Sequence, residues 1–199
     1  MPTILAVSSS PRRNGNSELL LQSFTRGLAE EGCESNTIRL NSLKIRPCQA
    51  CDRCAATGEC IVKDDMQGLY PQVASASALV IATPIYFGSV SAQLKLFIDR
   101  FQCWWNAKYV LNSPKVSQNE KRPGFFISVG GLKNEKHHAN ALDVVKVFFH
   151  IINFHYDNCL CFQDIDQKGA IKSHPDALEK AYEAGRRFAR ENLFNGTRE

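Results

Sequence analysis

Four cysteines, Cys48, Cys51, Cys54 and Cys60, fall in the run 48–60 with the spacing C-x2-C-x2-C-x5-C. Three thiolates two residues apart can wrap one iron–sulfur cubane, and a fourth after a short glycine-containing turn can close it. The related ferredoxin run C-x2-C-x2-C-x3-C-P sends its last cysteine to a second cluster. Here no second set exists, so all four would serve one [4Fe-4S] site. Zinc is the rival metal, although its usual sites pair two C-x2-C knuckles across a longer gap, and unmetallated cysteines are the third reading. Cys33, Cys103, Cys159 and Cys161 have no matching spacing, and the last two read as small core residues of a strand.

Two further segments could bind a ligand. Ser8-Ser9-Ser10-Pro11-Arg12-Arg13-Asn14-Gly15-Asn16-Ser17 lies between an apolar run and a helical pattern. Side-chain donors and the free N–H groups of a helix start can converge there on a phosphate; the alternative is a polar turn with a Ser or Asn cap. The segment matches neither G-x-G-x-x-G nor G-x-x-x-x-G-K-[ST]. Thr83-Pro84-Ile85-Tyr86-Phe87-Gly88-Ser89 supplies an aromatic pair followed by glycine, a flat surface with close backbone N–H groups, and Gly130-Gly131 allows another close backbone approach. His137-His138 reads as a solvated helix start. Trp104, Trp105 and Tyr109 could be core, interface or lid.

The elements that must position these segments follow from periodicity. Short apolar runs predict strands at Thr3–Ser8, Ser35–Leu40, Ala78–Thr83, Phe125–Val129 and Cys159–Phe162. Helical spacing is expected from Leu19 toward Gly32, from Asp64-Asp65 toward Ala74, over Val90–Phe101, over about Ala139–Phe154 and over about Pro175–Leu193. Lys108–Arg122 reads as surface decoration. The alternation of strand and helix implies an α/β, doubly wound parallel sheet with helices on both faces. With the order 2-1-3-4-5, strands one and three flank the ligand crevice. A chain of 199 residues, 44% hydrophobic and 22% charged, predicts a single domain over 1–199. The net charge of +4, without a basic run, argues against nucleic acid. The run opening Met1-Pro2-Thr3 is too short for an export signal and no segment is long enough to span a bilayer, so a cytoplasmic location is expected.

Taken together, the chain resembles the NADPH-dependent FMN reductase superfamily of flavodoxin-like proteins, and within it the iron-sulfur flavoprotein family. The resemblance rests on Ser9 to Ser17, the four cysteines, Asp64-Asp65-Met66, Ala82 to Ser89, and Leu94-Lys95-x-Phe97-Ile98-Asp99-Arg100. It implies FMN, a [4Fe-4S] cluster, a homodimer or tetramer, and a ferredoxin-like or NAD(P)H electron donor. It also implies that Ser10, Arg12, Asn16 and Ser17 hold the phosphate. Pro84, Ile85, Tyr86, Phe87, Gly88 and Ser89 would line the isoalloxazine, with Gly130 and Gly131 along its other edge.

Overall fold

The structure, a computed structural model, describes residues 3–194; Met1 and Pro2, which begin the N-terminal run, lie outside it. Five strands form one parallel sheet: β1 (Thr3–Ser8), β2 (Glu34–Arg39), β3 (Ala78–Pro84), β4 (Arg122–Val129) and β5 (Phe154–Phe162), in the order β2-β1-β3-β4-β5. This is the expected flavodoxin-like order. β1 and β3 are continuous apolar runs, because each is paired on both edges and covered on both faces.

Among the described residues six α-helices cover the sheet: α1 (Asn16–Glu30), α2 (Met66–Ser75), α3 (Ala92–Asp99), α4 (Gln102–Tyr109), α5 (Glu135–Ile151) and α6 (Ala177–Asn192). One face is filled by Leu20, Leu21 and Phe24 of α1 against Phe188 of α6, and Gly27 and Gly185 let α1 and α6 cross closely, since a Cβ on either would meet backbone at 2.1 Å. The other face packs α2 to α5 around Phe97, Phe101, Trp104 and Phe148. No helix among the described residues is long and apolar enough to cross a membrane.

Three expectations need correction. The helix expected over Val90–Phe101 is α3, Ala92–Asp99, but a further helix that was not expected, α4, follows at Gln102–Tyr109 and takes in the first two residues of the segment expected to be irregular. The expected helix over Ala139–Phe154 begins at Glu135, capped by the Asn134 side chain, and stops at Ile151, so that β5 starts at Phe154 instead of Cys159. Finally, β5 is an edge strand, which leaves Cys159 half-buried and Cys161 exposed; they are not core residues.

Candidate functional site

The loop between β1 and α1 is built to present N–H groups. Gly15 precedes α1 and provides no side-chain cap, so the first turn of the helix keeps its free donors. A Cβ on Gly15 would sit 2.8 Å from Ser10 Oγ, so only glycine lets the loop fold this tightly. Ser17 Oγ is buried and has no hydrogen-bond partner. An orphaned hydroxyl of this kind is costly unless a ligand completes it. Beneath the loop, Ser91 Oγ meets Ser9 at its carbonyl (3.1 Å) and its hydroxyl (3.0 Å), while Ser9 Oγ donates to Ala82 O at 3.0 Å. The same Ser91 Oγ caps α3 by accepting from Leu94 N.

Ser10, Arg12, Asn16 and Ser17 line one small cavity together with Pro84, Ile85 and Tyr86. Asn16 differs in role: its amide donates to Gln167 O at 2.9 Å and accepts from Ile171 N at 3.3 Å, so it braces the loop 167–171. Lys168 of that loop and Asp166 just before it also line the cavity, and Arg12 Nη1 donates to Asp166 O. Nothing in their local sequence distinguished them from solvated loop residues.

A second cavity of about 410 Å³ adjoins the first through Ile85, Tyr86, Gly131 and Asp166, and adds Phe87, Gly88 and Gly130. Tyr86 and Ser89 exchange both backbone hydrogen bonds at 3.0 Å around Phe87 and Gly88, whose φ values of 49° and 74° define a tight mirror-image turn. Phe87 is fully exposed at its tip. A bulky residue held in the left-handed region is strained, and such strain gathers at ligand sites. Ser89 takes part in the turn but does not line either cavity. Gly130 contributes space and not donors: its N–H goes to Phe162 O and its carbonyl accepts from Ile165 N. A Cβ there would stand 3.0 Å from His138 Nε2.

His138 corrects the reading of His137-His138 as solvated. It is buried at the first turn of α5, Nδ1 is 2.7 Å from Ser128 Oγ, and Nε2 is unpartnered at the wall of the second cavity. Burial, helped by His137, lowers its pKa and keeps the ring neutral.

The cysteine loop is positioned from the far end of α3. All four cysteines border one small cleft, Cys48 and Cys51 on its exposed side and Cys54 and Cys60 half-buried. Left-handed residues at Ala50, Asp52 and Gly58 turn the chain between successive thiols. Gly58 has a second reason to be glycine, because a Cβ would lie 2.9 Å from Ala107 Cβ on α4. Arg100, almost fully buried, pairs with Asp64 and donates to Arg46 O and Cys60 Sγ, while Asn106 Nδ2 donates to Cys54 Sγ at 3.1 Å. Burial raises the Asp64 pKa, but Arg100 and the backbone N–H groups of Arg46 and Met66 outweigh it and leave the carboxyl below its ordinary value. Burial likewise pushes the neighbouring Cys103 thiol up to about 11. Among the described residues no three His, Cys, Asp or Glu side chains converge tightly enough to hold a single metal ion.

The donor set fits a polynuclear group: four thiols face one cleft, and two side-chain N–H groups already point at sulfur. The first cavity likewise fits a phosphate through its free helix N–H groups and the orphaned Ser17 hydroxyl.

The family model for NADPH-dependent FMN reductase matches residues 2–156. An iron-sulfur flavoprotein of Methanocaldococcus jannaschii is 34% identical over 151 residues, 75% of this chain and 71% of the relative. One from Archaeoglobus fulgidus is 40% identical over 128 residues, 64% of this chain and 62% of the relative. The chain spans only 50% to 64% of the length of three iron-sulfur flavoproteins that it matches, the Archaeoglobus fulgidus one among them. Among solved structures, an NAD(P)H:quinone oxidoreductase from Methanothermobacter marburgensis superposes with a TM-score of 0.70 at 15% identity, covering 94% of this chain and 96% of that one. An azoreductase from Bacillus anthracis gives 0.68 at 14% identity, over 94% and 100%. These two show the fold alone. From the family model and the sequence relatives, the chain belongs to the iron-sulfur flavoprotein family within the NADPH-dependent FMN reductase superfamily.

Proposed function

We propose that the chain is an FMN-dependent oxidoreductase that passes electrons between a [4Fe-4S] cluster, FMN and a small acceptor. The observation that carries this reading is the single helix α3, which is capped by Ser91 against the phosphate loop and is followed by Arg100 against the cysteine loop. Eight residues span about 12 Å. The two sites are therefore rigidly linked and yet share no lining residue.

Bound FMN would supply two-electron chemistry and a cubane one-electron chemistry, so together they connect donors and acceptors of different stoichiometry. The protein's own residues bind and tune. Ser17, Arg12 and the start of α1 hold the phosphate; Ile85, Tyr86 and the turn at Phe87-Gly88 set the ring's place; Gly130 and Gly131 leave it room. Cys48, Cys51, Cys54 and Cys60 hold the cluster, and Arg100 and Asn106 stabilise negative charge on Cys60 and Cys54. Neither site requires a side-chain acid, base or nucleophile. A homo-oligomer fits the outer face of α4, where Trp105, Tyr109 and Val110 are exposed while Trp104 is core.

Reduction of the protein's flavin by a ferredoxin-like donor tests the proposal. Wild-type protein should bleach its flavin absorbance with reduced ferredoxin, and Cys54→Ser should keep the flavin yet lose most of that rate. Equal rates in both, with NAD(P)H as the efficient donor, would favour a cluster-free NAD(P)H-dependent FMN or quinone reductase.

A further inference from the structure

Cys159 and Cys161 stand two apart on β5, so their side chains share one face of the sheet, and the sulfurs are 3.8 Å apart. That face is the one covered by α5. Behind the pair lies a chain of buried polar groups: Ser128 Oγ is 3.3 Å from Cys161 Sγ and 2.7 Å from His138 Nδ1. Ser128 is fully buried and His138 is 4% exposed. Polar groups inside an apolar layer are costly unless paired, and these two are paired with each other and with the exposed cysteine. An edge-strand cysteine with no task needs no such backing.

We propose that Cys159 and Cys161 form a second redox site, a dithiol that reduces small-molecule disulfides of the form R–S–S–R. Cys159 is the attacking thiolate and Cys161 the resolving thiol. In the first step the Cys159 sulfur attacks one sulfur of the substrate, the R–S–S–R bond breaks, a mixed disulfide forms and RS⁻ leaves to take a proton from water. In the second, Cys161 gives its proton to the departing RS group, helped by the Ser128 O–H that donates to the Cys161 sulfur, and its sulfur attacks Cys159. The mixed disulfide breaks and the second RS⁻ collects the proton. Two electrons pass from the dithiol to the substrate, giving two RSH and one intramolecular disulfide; a dithiol in the medium restores the pair. Two residues of strand place the Cα atoms about 6.6 Å apart, near the long end of what a disulfide spans, so the bond can form but is readily reduced.

The electrostatics agree with these roles. The hydrogen bond from Cys161, with support from Tyr156 and Lys146, holds the Cys159 thiol below its ordinary value despite its burial, whereas Cys161 is pushed up by its neighbour. The titratable and charged groups facing the pair are Tyr156 and Asp157 on β5 and Lys146 and His138 on α5, with the Ser128 hydroxyl on β4.

The test uses the full chain as purified, reduced anaerobically with a dithiol, desalted, treated with oxidised glutathione and quenched with iodoacetamide. The tryptic peptide 147–168 carries these two cysteines and no other. It should become lighter by two hydrogens with no retained glutathione, at a rate already on its plateau at pH 8, below the ordinary thiol pKa of about 8.5. Cys161→Ser should retain one glutathione on Cys159, Cys159→Ser should form its adduct at least tenfold more slowly, and Ser128→Ala should accumulate the mixed disulfide. Wild-type peptide with both sulfurs alkylated, or with two glutathiones and no internal bond, would overturn the proposal, as would equal rates for the two single variants. The wild-type peptide mass decides the matter even if a variant fails to fold.

Discussion

At the scale of single residues, the site depends on a few buried polar atoms. Ser17 Oγ has no partner of its own, and a hydrogen bond to a charged group contributes about 1.5–3 kcal/mol. Ser17→Ala should therefore weaken FMN binding roughly tenfold or more, read by flavin fluorescence titration of the apoprotein. An unchanged Kd would remove Ser17 from the phosphate site. Arg100 and Asp64 are the corresponding pair under the cysteine loop. Removing one member of a buried pair typically costs about 3–5 kcal/mol because the other charge stays buried. Arg100→Ala should lower Tm and release the cluster together, while a variant of the exposed pair Lys95–Asp99 should do neither. Since the Asp64 pKa is depressed in the folded chain, its contribution is full above the ordinary carboxylate range of about pH 4 and is lost as pH falls through the lowered value. Asp64→Asn should remove that acid-side loss of stability in a pH series of thermal melts. A wild-type profile retained in the variant would assign it to another group.

At the scale of elements, two helices do most of the positioning. Leu94 and Phe97 of α3 are fully buried, at about 1.5–3 kcal/mol each, which anchors the helix whose two ends meet the two sites. In the cysteine loop, Gly58 takes φ 69° and lies against Ala107 of α4. Gly58→Val should misplace Cys54 and Cys60 together and abolish iron binding while flavin binding persists; retention of full iron content would show that the loop tolerates the change. The sheet order and the places of the loops that follow β1, β2 and β3 were legible in the sequence because apolar strand runs and turn residues are local signals. The separate helix α4 was not. Its aromatic residues fall on both its buried side, Trp104, and its exposed side, Trp105 and Tyr109, so apolar periodicity does not mark it. Similarly, the two faces of β5 differ only by context: nothing in Asn158-Cys159-Leu160-Cys161 tells an edge strand from a central one. His138 was misread for a related reason, since its burial depends on Ser128, ten residues earlier on β4.

At the scale of the whole molecule, one fold would hold both redox groups, at the two ends of α3. If the outer face of α4 pairs with a second copy, the cluster of one chain can serve the flavin of the other. Mixing an Arg12→Ala chain, lacking flavin, with a Cys54→Ser chain, lacking the cluster, should then restore part of the ferredoxin-dependent flavin reduction. No recovery despite proven exchange of subunits would confine each working pair to one chain. The central claim, however, is that this chain carries both groups, and the most direct measurement is a metal, sulfide and flavin assay on protein prepared without oxygen. The account predicts about four irons and about four labile sulfides per chain, with one FMN. Stoichiometric zinc without sulfide, or FAD in place of FMN, would contradict it.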